Sequence, residues 1–167
     1  MNNGQYHDRK SPRATFHHDF SGGDYFVTIC THGRVHYFGE IRDDAMRLSP
    51  IGECCREQLA TVHAHYPYAD VLLSVVMPNH VHAIIHIDGD DSLSGCVSLP
   101  QRRTALSVVV GGIKREVTMF ARRNGLDFGW QQRFHDHVIR GSRDGNNIAE
   151  YIENNVLTWH KDCFHDG

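Results

Sequence analysis

The chain has no apolar run approaching the roughly 18 residues that a membrane span requires, and no apolar segment lies in its polar N-terminal stretch. A membrane anchor and a secretion signal are therefore not expected, and a soluble, cytoplasmic protein is. Its five cysteines are odd in number and include no C-x-x-C pair, which argues against a disulfide framework or a zinc ribbon and leaves reduced thiols. Excess positive charge is also missing: 17 Lys and Arg stand against 20 Asp and Glu, a net charge of -3. That balance speaks against a protein that coats duplex DNA by bulk electrostatics. At 167 residues the chain is too short for two ordinary domains. One domain is expected over residues 24–167, preceded by an irregular arm over residues 1–23.

What the chain does have is histidine, 14 of them, and one arrangement stands apart. In Val75-Val76-Met77-Pro78-Asn79-His80-Val81-His82-Ala83-Ile84-Ile85-His86-Ile87, the two-residue period of a strand puts His80, His82, Ile84 and His86 on one face. Val81, Ala83, Ile85 and Ile87 share the other face and suit burial against helices. The two imidazoles have Cα atoms roughly 6.5 Å apart, so both rings can reach one metal ion and leave positions open for a further ligand or a substrate oxygen. Among so many histidines one His-x-His pair can arise by chance, so its meaning depends on the rest of the chain.

Residues 24–31 are dense in β-branched and aromatic side chains and read as the first strand, with a short extended piece over 35–41 between Gly33 and Gly39. Ser49 as N-cap and Pro50 at the first helical position open a helix that carries Cys55, Leu59 and Val62 and stops at Pro67. Residues 70–77 are nearly all apolar, as expected of a central strand buried on both faces. With 80–87 they make a central hairpin, in which Pro78-Asn79 is a turn or a kink. A polar loop follows over 88–95. Beyond it Leu106, Val109, Ile113, Val117 and Phe120 recur at helical spacing, with Lys114, Arg115, Arg122 and Arg123 off that stripe. The Gly111-Gly112 pair inside this helix costs about 1 kcal/mol per Gly relative to Ala, so a phosphate backbone or a packed strand should need the close approach it permits. Residues 128–140 read as the last strand, and Asp144-Gly145-Asn146-Asn147 as the cap of a final helix over 148–159. On that helix Tyr151 and Asn155 form an i, i+4 pair away from the apolar stripe of Ile148, Ile152, Val156 and Trp159. The resulting order is that of an α+β, ferredoxin-like (split βαβ) antiparallel sheet with helices on one face and a C-terminal helix that carries Tyr151.

Breaking a phosphodiester without water as the nucleophile needs an attacking hydroxyl, a cation on the non-bridging oxygens and a way to hold the strand. In this reading His80 and His82 hold a divalent ion, Mg²⁺ or Mn²⁺, Asn155 supplies an oxygen as third ligand, and Tyr151 attacks. Tyr25-Phe26-Val27-Thr28, the Val-Val-Met-Pro-Asn-His-Val-His run, Val110-Gly111-Gly112-Ile113-Lys114, Trp130-Gln131 through His137-Val138-Ile139-Arg140 and Tyr151-Ile152-Glu153-Asn154-Asn155 resemble, in that order, the REP-associated tyrosine transposases, relatives of the IS200-type, single-tyrosine HUH transposases. The resemblance implies a metal-dependent single-stranded DNA endonuclease and strand transferase that recognises hairpins and forms a 5'-phosphotyrosine link. It carries His80, His82 and Asn155 over as metal ligands and Tyr151 as nucleophile. Many relatives have Pro after that Asn, where this chain has Val156.

Although the whole is acidic, residues 100–145 hold nine basic against four acidic side chains. Arg102, Arg103, Lys114, Arg115, Arg122 and Arg123 are therefore candidates for phosphate contacts to single-stranded or hairpin DNA. A homodimer is compatible with this reading. Two competing readings are an inert hairpin-binding protein of the same fold and a phosphoesterase that activates water and leaves Tyr151 dispensable.

Overall fold

A computed structural model describes residues 23–88 and 104–165. The expected N-terminal arm, all but the first residue of the 88–95 loop, and the candidate DNA contacts Arg102 and Arg103 lie outside the described residues. Strand β1 (Asp24–Cys30) buries Val27 and Ile29 on one face and lies beside β5 (His80–Ile87), whose opposite edge pairs with β4 (Ala69–Val76). Strand β6 (His135–Val138) closes the other side of β1, giving the order β4-β5-β1-β6 with every pair antiparallel. This is the ferredoxin-like arrangement expected from the element order.

The two faces of β5 separate as the alternation requires. Val81, Ala83, Ile85 and Ile87 pack with α1 (Pro50–Ala60) and α3 (Ala105–Arg123) in the main core. Ile84 joins Ile139, Ala149 and Ile152 in a second cluster under α4 (Ser142–Asn154) on the histidine face. Helix α1 begins as its sequence dictates: Ser49 Oγ accepts the Gly52 N–H at 3.1 Å, and Pro50 needs no partner for a missing donor. A single turn, α2 (Val62–His65), continues it beyond Thr61.

Four local expectations are corrected. The strand over residues 70–77 is an edge strand, not a central one. Its apolar character comes from helices on both faces, α1 and α2 on one and α4 on the other, which partly cover it without a second neighbouring strand. The extended piece placed at 35–41 is instead a separate hairpin of β2 (Gly39–Arg42) and β3 (Ala45–Leu48), turned by Asp43 and Asp44 at φ 52 and 57. Both turn residues are left-handed, as a two-residue hairpin matched to strand twist requires, and Asp tolerates that region. The last strand contracts to four exposed residues, because 128–134 run alongside α3 and meet the end of β1 through the Gln131 N–H on the Cys30 carbonyl at 2.9 Å and the adjoining Thr31–Trp130 bridge. The final helix starts at Ser142 rather than 148, with Gly141 at its N-cap, and Asp144 in its first turn ties that start to the end of β6, accepting the Arg140 N–H at 3.1 Å and facing His137 Nε2 at 2.9 Å. Those bonds hold the Asp144 carboxyl below its ordinary pKa, the Arg140 N–H foremost.

Gly112 has a packing reason. A Cβ there would stand 1.9 Å from Tyr66 Oη and 2.9 Å from its Cζ, and Tyr66 packs on the main core. Gly112→Ala should therefore lower stability by about 1–3 kcal/mol in denaturant unfolding, despite alanine's better helix propensity.

Candidate active site

The turn between β4 and β5 sets the orientation of the histidines. Asn79 is fully buried, and its amide nitrogen donates to the carbonyls of Arg34 at 3.2 Å and Phe164 at 2.8 Å. Its oxygen is thereby turned toward His80 Nδ1, 2.9 Å away. An amide oxygen only accepts, so His80 Nδ1 carries the proton and His80 Nε2 presents a lone pair. His82 stands opposite Thr28 in the register, with Nδ1 at 2.9 Å from Thr28 Oγ1, a hydroxyl able to donate or accept. The two Nε2 atoms lie 3.0 Å apart. If both carry lone pairs they repel unless a proton or a cation lies between them.

Burial, the larger cause in both, drives each imidazole to a pKa of about 3, helped at His80 by the charge of Arg34 and at His82 by His80 itself. Both rings are uncharged at neutral pH. Asp162 completes the cluster from the segment after α4: its side chain is 2% exposed, and Oδ2 lies 3.9 Å from His80 Nε2. That oxygen has no hydrogen-bond partner among the described residues. The donor atoms of His80, His82 and Asp162 all fall within 4.8 Å of one another. Two neutral imidazoles and an unpaired buried carboxylate oxygen suit a divalent cation.

Tyr151 projects from α4 over this cluster, with its hydroxyl 3.2 Å from His82 Nε2 and its ring edge-on to Phe26. It is 42% exposed, so the oxygen is held but reachable. Burial and the Asp162 charge push the phenol pKa up, while the Asn155 amide favours the ionised form. Asn155 sits at the C-cap of α4, one turn beyond Tyr151, and is 1% exposed. Neither amide atom has a hydrogen-bond partner of ordinary geometry among the described residues. The helix ends here with Val156, not Pro, after Asn155.

Tyr151, His80, His82 and Asn155 thus come together on one face of the sheet, while the described basic candidates do not join them. Lys114, Arg115, Arg122 and Arg123 all lie on α3, across the sheet, and Lys114 Nζ donates to the carbonyls of Gln131 at 2.7 Å and Gln132 at 3.2 Å. His86 is occupied elsewhere, its Nδ1 2.8 Å from Asp24 and its Nε2 3.3 Å from Asp88. Sequence reading missed Asp162, Asn79 and Thr28 as members of the site.

No protein-family model matches the chain. An uncharacterized protein of Haemophilus influenzae is 32% identical over 170 residues, covering 96% of this chain and 94% of that protein. A second protein of the same organism, provisionally named a REP-associated tyrosine transposase, is 26% identical over 157 residues, 86% of this chain and 76% of its own length. A solved structure of a REP-associated tyrosine transposase bound to a REP hairpin superposes with a TM-score of 0.58, covering 86% of this chain and 72% of that one at 23% identity. The chain is thus similar in sequence to one protein named for the REP-associated tyrosine transposases and shares the fold of another. In this chain the His-hydrophobic-His strand is β5, and the C-terminal helix with Tyr151 is α4. Among its described residues no helix is long and apolar enough to cross a membrane.

Proposed function

We propose that this chain is a tyrosine transposase of the REP-associated kind, a metal-dependent single-stranded DNA endonuclease and strand transferase that acts on hairpin DNA through a covalent 5'-phosphotyrosine. The observation that carries the reading is the Tyr151 hydroxyl, 3.2 Å from a ring nitrogen of a buried, uncharged histidine pair. In the forward step Tyr151 Oη forms a bond to phosphorus as the P–O3' bond breaks. The phenol proton leaves and the departing 3' oxygen gains one, so the products are a 5'-phosphotyrosine and a free 3'-hydroxyl. Attack by another 3'-hydroxyl reverses the exchange and restores the phenol, which is how strands are rejoined. Phe26 and the helix face hold the ring in place for both directions.

His80 and His82 would hold the cation, Mg²⁺ or Mn²⁺, with an oxygen from Asn155 or Asp162 as the third ligand. Once bound it would neutralise charge on the scissile phosphate as a Lewis acid. Thr28 fixes the His82 ring from behind, so Thr28→Val should weaken Mn²⁺ binding about 10-fold to 100-fold in calorimetric titration. The reading is tested by incubating the protein with end-labelled hairpin DNA bearing a single-stranded flank, with and without Mg²⁺ or Mn²⁺. A protein–DNA adduct that survives denaturing electrophoresis and requires the cation is expected. Cleavage without an adduct would replace this reading with water activation, and binding without cleavage would leave an inert hairpin binder.

A further inference from the structure

Arg34 ends the single 3-10 turn, His32–Arg34, that follows β1, and its backbone is one that its own side chain disfavours. Its φ of 55° lies in the left-handed region, which glycine occupies freely and a long side chain does not. Two hydrogen bonds fix that conformation. The Arg34 carbonyl accepts the Asn79 side-chain amide at 3.2 Å, and its N–H donates to the Thr31 carbonyl at 3.3 Å. Glycine would make both bonds without strain, so the backbone gives no reason for an arginine here.

The side chain supplies the reason. Nη1 donates to the Cys163 carbonyl at 3.1 Å, and the guanidinium carbon stands 5.3 Å from the centre of the Phe164 ring. The segment it holds carries Asp162. The Phe164 N–H donates to Asp162 Oδ1 at 2.9 Å, which leaves Oδ2, without a hydrogen-bond partner among the described residues, to lie 3.9 Å from His80 Nε2. The Phe164 ring is itself 4.5 Å from the His80 ring. Residues 162–165 belong to no helix or strand, so the place of Asp162 depends on such contacts. Two of them reach across from the far side of the site: the Asn79 amide on the Phe164 carbonyl at 2.8 Å, and Arg34 on the Cys163 carbonyl. Asn155 needs no such help, because it is placed by α4. The charge of Arg34 acts the other way: it opposes protonation of His80, and by the same sign it opposes a divalent cation there. Strain and charge both count against arginine at this position, which leaves its hold on the Asp162 segment as the favourable contribution.

We infer that Arg34 is a positioning residue of the metal centre: by holding the Cys163 carbonyl and the Phe164 ring it presents Asp162 to the cation as a ligand beside His80 and His82. The inference rests on the metal-dependent reading above and deepens it. Arg34 touches neither the cation nor the DNA in this role and acts through Asp162 alone.

The experiment is calorimetric titration of the full chain with Mn²⁺, wild type beside Arg34→Gly, Arg34→Lys, Asp162→Asn and the Arg34→Gly, Asp162→Asn double variant, with melting temperatures of the cation-free proteins. Glycine removes the side chain and the strain together, so Arg34→Gly should melt within about 3 °C of wild type. It should nevertheless bind Mn²⁺ at least about tenfold more weakly, the scale on which groups that orient a metal ligand act. Arg34→Lys keeps the charge without the planar fork and should fall between the two. Asp162→Asn should also bind weakly, and adding Arg34→Gly to it should change the affinity by less than about twofold. In the adduct assay Arg34→Gly should need at least about tenfold more Mn²⁺ for half its maximal rate, while the rate at saturating Mn²⁺ stays within about threefold of wild type. Unchanged Mn²⁺ affinity in Arg34→Gly overturns the inference, and tighter binding overturns it by showing that only the charge is felt. A loss of equal size with and without the Asp162 carboxylate overturns it as well. If Arg34→Gly melts far below wild type, Arg34→Lys decides, and wild-type affinity in that variant overturns the inference. A wild-type chain that binds no Mn²⁺ removes the metal-dependent reading and this inference together, whereas the expected affinities without any adduct remove the nuclease and leave the role of Arg34 standing.

Discussion

Tyr151→Phe should abolish the covalent protein–DNA adduct, cutting the rate of strand cleavage by at least about 10⁴-fold, the scale on which removal of a covalent nucleophile acts. Everything else about the variant should be nearly normal. The hydroxyl lies 3.2 Å from His82 Nε2 and the residue is 42% exposed, so its loss should shift stability by no more than about 1 kcal/mol. The ring stays against Phe26, because phenylalanine keeps the edge-on contact. Hairpin affinity should stay within about twofold of wild type. A loss of chemistry without loss of fold or binding separates a nucleophile from a packing residue, the commoner role of a tyrosine on an amphipathic helix. Cleavage that persists in Tyr151→Phe would transfer the attack to water and leave His80, His82 and Asp162 as the whole of the chemistry. Denaturing gels, thermal melts and equilibrium binding on the same preparations decide the matter.

The legibility of this site follows the range of the contacts that build it. The histidine strand was readable because alternation is local: Val81, Ala83, Ile85 and Ile87 must face helices if His80 and His82 face the other way. Tyr151 and Asn155 were readable as a pair because they are one turn apart, although the helix begins at Ser142, six residues before the expected start at 148. The start was missed because its N-cap is Gly141, which carries no capping side chain to mark it. The edge position of β4 was not readable, since an apolar run reports how much of a strand is covered and not whether strands or helices cover it. Asp162 was hidden for a different reason. It lies in an aperiodic segment placed by contacts distant in sequence, the Asn79 amide on the Phe164 carbonyl at 2.8 Å and Arg34 on the Cys163 carbonyl at 3.1 Å. Asn79 was in plain view beside His80, but its role rests on two acceptors more than 40 residues away, Arg34 and Phe164.

In the cation-free protein the histidine pair makes stability depend on pH in a definite direction. His80 and His82 have folded-state pKa values of about 3, against an ordinary value of 6.5, because burial opposes their charged forms. Between those values the unfolded chain binds protons that the folded one refuses, so acidification favours unfolding. Their contribution is fully present above pH 6.5 and is lost as pH falls from 6.5 toward 3. The slope is at most about 1.4 kcal/mol per pH unit for each ring, and less for two rings so tightly coupled. Carboxylates such as Asp144 also destabilise the fold in acid, but they act nearer their own ordinary range of about 4. Denaturant unfolding at pH 7, 6 and 5 should show wild type losing stability across this window, and His82→Asn, less stable at pH 7, losing roughly half as much. At pH 7 Mn²⁺ at 100 times its dissociation constant should stabilise wild type by about 2.7 kcal/mol and His82→Asn by far less. A flat wild-type profile between pH 7 and 5 would mean that the rings are charged or solvated in the fold. An undiminished Mn²⁺ effect in the variant would place the cation somewhere other than between His80 and His82.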